Sequence, residues 1–129
     1  MSKTLDLNEL PSRDRLEEDR YVAAWRDAAD DRTPLLVERV SEAIDARRPM
    51  LAARLVGLID EDVASGEPHI ARARSAARLL IRTPDRVDPA ILEDFMSAWR
   101  RGRKMYMDRV RRRHRSRHGA KRPRQPRRR

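Results

Sequence analysis

The stretch PAILEDFMSAWRRGRKMYMDRV, residues 89–110, decides the fold prediction for this chain. Its large apolar residues step by three, four, seven and four positions, at Leu92, Phe95, Trp99, Tyr106 and Val110. Side chains at these intervals share one side of an α-helix, and Gly102 occupies the turn that the series skips. With Asp88 as N-cap and Pro89 in the first turn, a helix is predicted from Pro89 to about Arg117.

Four shorter helices are predicted before it, and no run of alternating β-branched residues indicates a strand. They run from a Ser12 cap to the DDRTP break, from a Thr33 cap to Arg47, from Pro49 to Ala64 and from Pro68 to Arg82. Gly66 is expected to adopt the left-handed conformation in the turn before the fourth helix. That helix is expected to bury Ile70, Ala73, Ala77, Leu80 and Ile81. The fold class is therefore all-α, a small bundle of about five helices with a long basic C-terminal helix and a disordered Arg-rich tail.

Charge divides the chain into an acidic and a basic part. Residues 1–99 carry 15 basic and 20 acidic side chains, whereas residues 100–129 carry 16 basic side chains and one acid, Asp108. We expect a flexible lead at 1–11, an acidic helical body at 12–99, a basic extension of the last helix at 100–118 and a disordered Arg/Pro tail at 119–129. Arginine outnumbers lysine 28 to 3, which fits either phosphate binding by guanidinium groups or a GC-rich genome.

The basic residues from position 100 onward are typical of a nucleic-acid-binding arm, because such blocks gain affinity by releasing counter-ions from phosphates. The predicted phosphate-binding residues are Arg100, Arg101, Arg103, Lys104, Arg109, Arg111, Arg112, Arg113, Arg115, Arg117, Lys121, Arg122, Arg124, Arg127, Arg128 and Arg129. The helix is expected to fray from about Arg109 in isolation and to order on binding. A solubilising or nuclear-import tail is the alternative for the same segment.

Two further features of the helices have two interpretations each. Arg74, Arg78 and Arg82 lie in one row and form a secondary candidate surface for DNA, or else they pair with the acidic body. A helix-turn-helix motif does not fit there, since polar residues stand where it needs small or apolar ones. Trp99, Met105, Tyr106 and Met107 are either core covered by the N-terminal helix or the interface of a homo-oligomer. Stacking of single-stranded bases on Trp99 and Tyr106 is a third alternative.

No catalytic site, cofactor, metal or small-molecule substrate is predicted. The chain has no cysteine and only four glycines, and it lacks a Gly-rich phosphate loop and any Ser/His/acid set. The acids at 60–62 with Glu67 and His69 are a candidate hard-cation site, but they are more simply partners of nearby arginines. His114 and His118 are one helical turn apart among arginines, which repel a metal dication.

These observations favour a non-enzymatic protein that binds DNA or RNA through mostly sequence-nonspecific phosphate contacts. The alternative is a helical interaction or assembly protein (viral, phage or regulatory) whose basic arm docks on an acidic protein surface. The layout is similar to that of small helical nucleoproteins with arginine-rich arms, without a diagnostic motif. No membrane span is predicted, and the expected location is cytoplasmic or nucleoid-associated, or nuclear in a eukaryote or its virus.

Overall fold

Six helices make up the computed structural model, which describes residues 7–28 and 32–121, with side chains described as far as residue 113. The helices are α1 Arg15–Asp27, α2 Thr33–Asp45, α3 Pro49–Val56, α4 Glu61–Gly66, α5 Pro68–Arg82 and α6 Pro89–Lys121. The described ranges contain no strand. The all-α prediction, with a long basic helix at the C-terminal end, is confirmed.

The predicted third helix is two helices, α3 and α4. The chain turns at residues 57–59, and Asp60 begins the second helix by accepting a hydrogen bond from the Asp62 backbone N–H at 3.5 Å. The acids at 60–62 therefore lie at a helix N-terminus, where the macrodipole favours negative charge. The prediction of one helix from Pro49 to Ala64 was wrong because Leu58, Ile59 and Val63 continue the apolar pattern across the turn.

Among the described residues, the left-handed conformation occurs at Arg47 and not at Gly66. Among the described glycines none has a positive φ, whereas Arg47 has a φ of 61°. The Arg48 N–H donates to Ala43 O at 2.8 Å and the Arg47 N–H donates to Ile44 O at 3.0 Å. This pair of bonds is the Schellman motif, which ends α2 and turns the chain into α3.

Two helix starts are displaced from their predicted caps. Asp14, not Ser12, caps α1, because its Oδ1 accepts from the Leu16 N–H at 2.9 Å. Ser12 instead accepts a bond from the Asp14 N–H at 3.2 Å. Thr33 is the first residue of α2 rather than its cap. Residues 7–11 lie against the body: Pro11 is buried, and Arg48 donates to its carbonyl at 2.6 Å.

Helix α5 lies at the centre of the bundle and contacts α3, α4 and α6. Its bounds are those predicted, and four of its five predicted core residues are buried, Ile70, Ala73, Ala77 and Leu80. The fifth prediction was wrong, since Ile81 is 41% exposed. Ile81 is turned about 100° from Leu80 around the helix axis. Alanines on the buried side let the neighbouring helices approach closely.

Helix α6 packs antiparallel to α5 and is much longer. Near the start of α6, Asp94 Oδ1 accepts a hydrogen bond from Arg72 Nη2 of α5 at 2.8 Å. Further along α6, Arg109 Nη1 donates to the carbonyl of Gly66, which precedes α5. The lengths, about 50 Å for α6 and about 22 Å for α5, follow from 33 and 15 residues. Arg111, Arg112 and Arg113 lie beyond these contacts and are exposed.

The last helix also ends later than predicted, at Lys121 rather than about Arg117. Gly119, Ala120 and Lys121, which were assigned to the disordered Arg/Pro tail, are helical. The rest of that tail, residues 122–129, lies outside the described residues. Helix α6 therefore continues beyond Val110, the last of the apolar residues from which it was predicted.

Candidate nucleic-acid interface

The basic extension presents two different sides of α6. Arg100, Arg101, Lys104, Arg111 and Arg112 are exposed. At 100° per residue they fall within about one third of the helix circumference, and we call them the outer face. The opposite side carries Trp99, Gly102 and Tyr106 and packs on the body. One helix thus serves as a core element and as a cationic surface.

Arg103 and Arg109, two of the predicted phosphate-binding residues, are engaged with the acidic body. Arg103 Nη2 donates to both oxygens of Glu38 on α2, at 3.0 and 3.2 Å. Arg109 Nη1 donates to Gly66 O at 2.8 Å, and its Nη2 lies 3.5 Å from Glu67 Oε1. These two arginines attach the extension to α2 and to the junction of α4 and α5.

Glu67 is the acidic side chain at that junction, and it is only 1% exposed. Its Oε2 accepts from the His69 N–H at 3.3 Å and so caps α5. Its Oε1 accepts no hydrogen bond from the described residues, which leaves the Arg109 guanidinium as its charge partner. A buried carboxylate needs such a cation, because an unpaired charge is costly in a low-dielectric interior.

The outer face has two cationic clusters with one acid between them. Asp108 accepts from Lys104 Nζ at 3.3 Å and from Arg111 Nη1 at 3.4 Å. Within the described part of the chain, no carboxylate forms an ion pair with Arg100, Arg101, Arg112 or Arg113. The cluster of Arg100, Arg101 and Lys104 and the pair Arg111 and Arg112 are about 15 Å apart along the helix. The outer face therefore holds cations that its own body leaves largely uncompensated.

The remaining predicted phosphate-binding residues follow this surface. Arg115, Arg117 and Lys121 are on the helical part of the chain, but their side chains are outside the described set. Five more lie in residues 122–129, outside the described residues: Arg122, Arg124, Arg127, Arg128 and Arg129. The structure therefore describes the side chains of the first part of the candidate interface, residues 100–113.

The secondary candidate row on α5 is not a uniform free surface. The Arg74 side chain is 14% exposed and donates to Glu61 Oε1 at 2.9 Å. This hydrogen bond and the Arg74 charge lower the pKa of the Glu61 carboxyl. Arg78 and Arg82 are exposed and have no ion pair among the described side chains. The alternative in which the row pairs with the acidic body holds for Arg74.

Trp99 and Tyr106 of α6 are covered by α2 and α4, whereas the sequence suggested coverage by the N-terminal helix or by a second subunit. Trp99 is 1% exposed, and its Nε1 donates to Ser41 Oγ on α2 at 3.1 Å. Tyr106 is half-buried beside Thr33 and Val63, and burial raises the pKa of its phenol, a rise that Arg113 moderates. The core interpretation is confirmed for Trp99. Met105 remains exposed.

Three acids of the candidate cation site, Asp60, Glu61 and Glu67, have partners within the protein. Asp60 and Glu67 cap helices, as described above, and the described residues contain no group of three His, Cys, Asp or Glu side chains able to hold a metal ion. The side chains of His114 and His118 lie outside the described set. No described helix is both long enough and apolar enough to cross a bilayer.

No protein-family model, curated protein sequence or solved structure matches this chain. The sequence did not identify Glu38, Glu67 and Asp108 as the acids that form ion pairs with cations of α6. The signal for Asp108 was available, since it is the one acid after residue 99. The other two pair across long stretches of chain and carry no local signal.

Proposed function

We propose that this chain is a non-enzymatic nucleic-acid-binding protein. The outer face of α6 and the arginines that follow it make mostly sequence-nonspecific contacts to phosphates. One observation supports this most: four exposed arginines of α6, Arg100, Arg101, Arg112 and Arg113, have no ion pair among the described carboxylates. Their neighbours Arg103 and Arg109 hold the helix on the body.

This arrangement, in which some arginines hold α6 on the body and others stay exposed, suits phosphate binding. A cation fixed on a packed helix loses less conformational entropy on binding than one on a free chain. Each phosphate neutralised releases condensed counter-ions, which provides affinity without base recognition. The acidic body repels a polyanion and so directs it to the basic extension. Arg78 and Arg82 form a separate exposed surface on α5, and the experiment described next tests it with a variant of its own.

The test compares charge variants rather than truncated chains, because deletion after residue 99 would also remove Gly102, Arg103 and Arg109, which hold α6 against the body. The first variant combines Arg100→Gln, Arg101→Gln and Lys104→Gln. The matched control combines Arg15→Gln, Arg20→Gln and Arg26→Gln, three exposed arginines of α1. A third variant combines Arg78→Gln and Arg82→Gln.

Binding to a labelled duplex is measured by fluorescence anisotropy between about 50 and 200 mM salt. With six to ten phosphate contacts, affinity of the natural chain falls by about 10³ to 10⁵ over this range. The outer-face variant loses about 2–3 units of the slope of log affinity against log salt, and the α1 control keeps the slope. Equal loss in the two triple variants, or no binding by the natural chain, contradicts the proposal.

A second function, assembly, is supported by the charge at the two ends of α6. Asp85, Asp88 and Glu93 are exposed where α6 begins, whereas the outer face is cationic. The basic extension of one copy could therefore dock on the acidic start of another. Sedimentation in the absence of nucleic acid discriminates the two functions. Salt-sensitive oligomers that the outer-face variant abolishes favour assembly, and a monomer at all concentrations argues against it.

A further inference from the structure

We infer that the outer face of α6 takes double-helical nucleic acid in preference to single strands. The inference rests on the proposed function and names the substrate class for the same surface. Two independent features carry it: the location of the aromatic side chains and the spacing of the cations. Both concern residues 7–28 and 32–113, where side chains are described.

The outer face has no aromatic platform on which unpaired bases could stack. The chain has five Phe, Trp and Tyr residues. Four are almost fully buried, Tyr21, Trp25, Phe95 and Trp99. The fifth, Tyr106, is half-buried on the side of α6 that faces the body. Proteins that prefer single strands gain about 1–3 kcal/mol per base from stacking on such rings, and here that gain is missing.

The spacing of the cations on the outer face suits contact with both backbones of a duplex better than contact with a single strand. The clusters on either side of Asp108 are about 15 Å apart on a rigid helix. The major groove of B-DNA is about 12 Å wide between its bordering backbones. A helix lying across the groove brings each cluster to a different strand. Asp108 then lies over the groove, where there is no phosphate to repel it.

Charge density acts in the same direction. The slope of log affinity against log salt is about 0.9 per contacted phosphate for duplex DNA and about 0.7 for single strands. For about six contacts and equal weak affinity near 1 M salt, the difference grows to about tenfold at 0.1 M salt. The duplex preference therefore follows even when both forms offer the same number of phosphates.

The test uses the full chain, a duplex of about 20 base pairs, roughly two helical turns, and one of its strands alone, chosen to lack self-complementarity. Fluorescence anisotropy at about 0.1 M salt measures both affinities. We expect binding to the duplex to be about tenfold tighter. Intrinsic tryptophan fluorescence is recorded in parallel, and it should stay unchanged when the single strand is added, because both tryptophans are buried.

The outcomes separate the inference from the proposed function. Equal or tighter binding of the single strand, or quenching of tryptophan by it, overturns the duplex preference and leaves phosphate binding intact. Binding of neither form overturns the proposed function itself. A tenfold preference with unchanged tryptophan emission supports both.

Discussion

Arg109 and Glu67 join the basic extension to the body: the Arg109 guanidinium lies 3.5 Å from a carboxylate that is 1% exposed. The same arginine donates to Gly66 O at 2.8 Å. The contact lies where α4 passes into α5, so one side chain holds the middle of α6 against the start of the central helix. Beyond it, Arg111, Arg112 and Arg113 are exposed.

Arg109→Met should destabilise the fold, because it leaves the Glu67 carboxylate buried without a cation. The expected loss in the free energy of unfolding is about 2 kcal/mol. This is less than for a fully buried pair, because the Arg109 side chain is 43% exposed. Urea denaturation measures the loss. Arg112→Met, at an exposed position, should change the free energy of unfolding by less than about 0.5 kcal/mol.

The coupling between the two groups is measured in a double-mutant cycle with Glu67→Gln, which keeps an acceptor for the His69 N–H. Arg109→Met should cost clearly less in that background, because no buried charge remains to be compensated. Additive effects would show that the pair does not interact.

Gly102→Ala should destabilise the protein even though alanine favours helix by about 1 kcal/mol. An added Cβ would lie 2.7 Å from Ile70 Cγ1 and 2.8 Å from the Ile70 backbone N. Backbone cannot rotate away, so α5 and α6 must separate, at a net cost of about 1–3 kcal/mol. The control is Gly57→Ala, where the nearest contact is 3.5 Å. Thermal denaturation should show a lower Tm only for the first variant.

Arg47→Gly should stabilise the protein by about 0.5–1 kcal/mol. Arg47 has a φ of 61°, a conformation that costs an L-residue about 1–2 kcal/mol and glycine almost nothing. Part of the gain is offset by the greater freedom of glycine in the unfolded chain. Arg47→Ala removes the same charge but keeps the strain, and its Tm should not rise. Equal Tm for the two variants would contradict a conformational cause.

Asp108→Asn should tighten binding to nucleic acid. It removes the one acid of the outer face and releases Lys104 and Arg111 for phosphates. Affinity at about 0.1 M salt should rise several-fold, and the salt slope should steepen by about 1 unit. Glu93→Gln, which neutralises an exposed acid near the start of α6, should change neither. If both variants gain equally, net charge rather than the outer face controls binding.

The Glu61–Arg74 contact should give a pH-dependent contribution to stability. The pKa of Glu61 is lowered, first by the Arg74 hydrogen bond and then by the Arg74 charge. A folded-state pKa below the unfolded one means that the contribution is present above the unfolded pKa and is lost as pH falls through the lowered value. Carbon NMR titration of the Glu61 carboxyl measures it, and Arg74→Gln should return the pKa to its ordinary range. An identical titration in the variant would contradict the assignment.

Local sequence signals predicted some elements accurately. The bounds of α5 were predicted from a proline at its start and the Thr83-Pro84 pair after its end. The same kind of signal failed between α3 and α4, because the apolar spacing continues across the turn at residues 57–59. Cap positions moved by one to two residues, from Ser12 to Asp14 and from Thr33 to Arg32, which is within the precision of local signals for helix ends.

The candidate site was predictable only in part. The block of cations after residue 99 is visible in the sequence, and so is its isolated acid, Asp108. The pairing of Arg103 with Glu38 spans 65 residues, and that of Arg109 with Glu67 spans more than 40. No local pattern reports such contacts.

The order of amino acids alone determined that this chain is helical and that its positive charge is concentrated at one end, since propensity, apolar spacing and charge are local properties. Only packing in three dimensions decided which cations hold α6 to the bundle and which stay exposed. Each ion pair needs a carboxylate brought close from a distant part of the chain, and that proximity exists only in the folded protein.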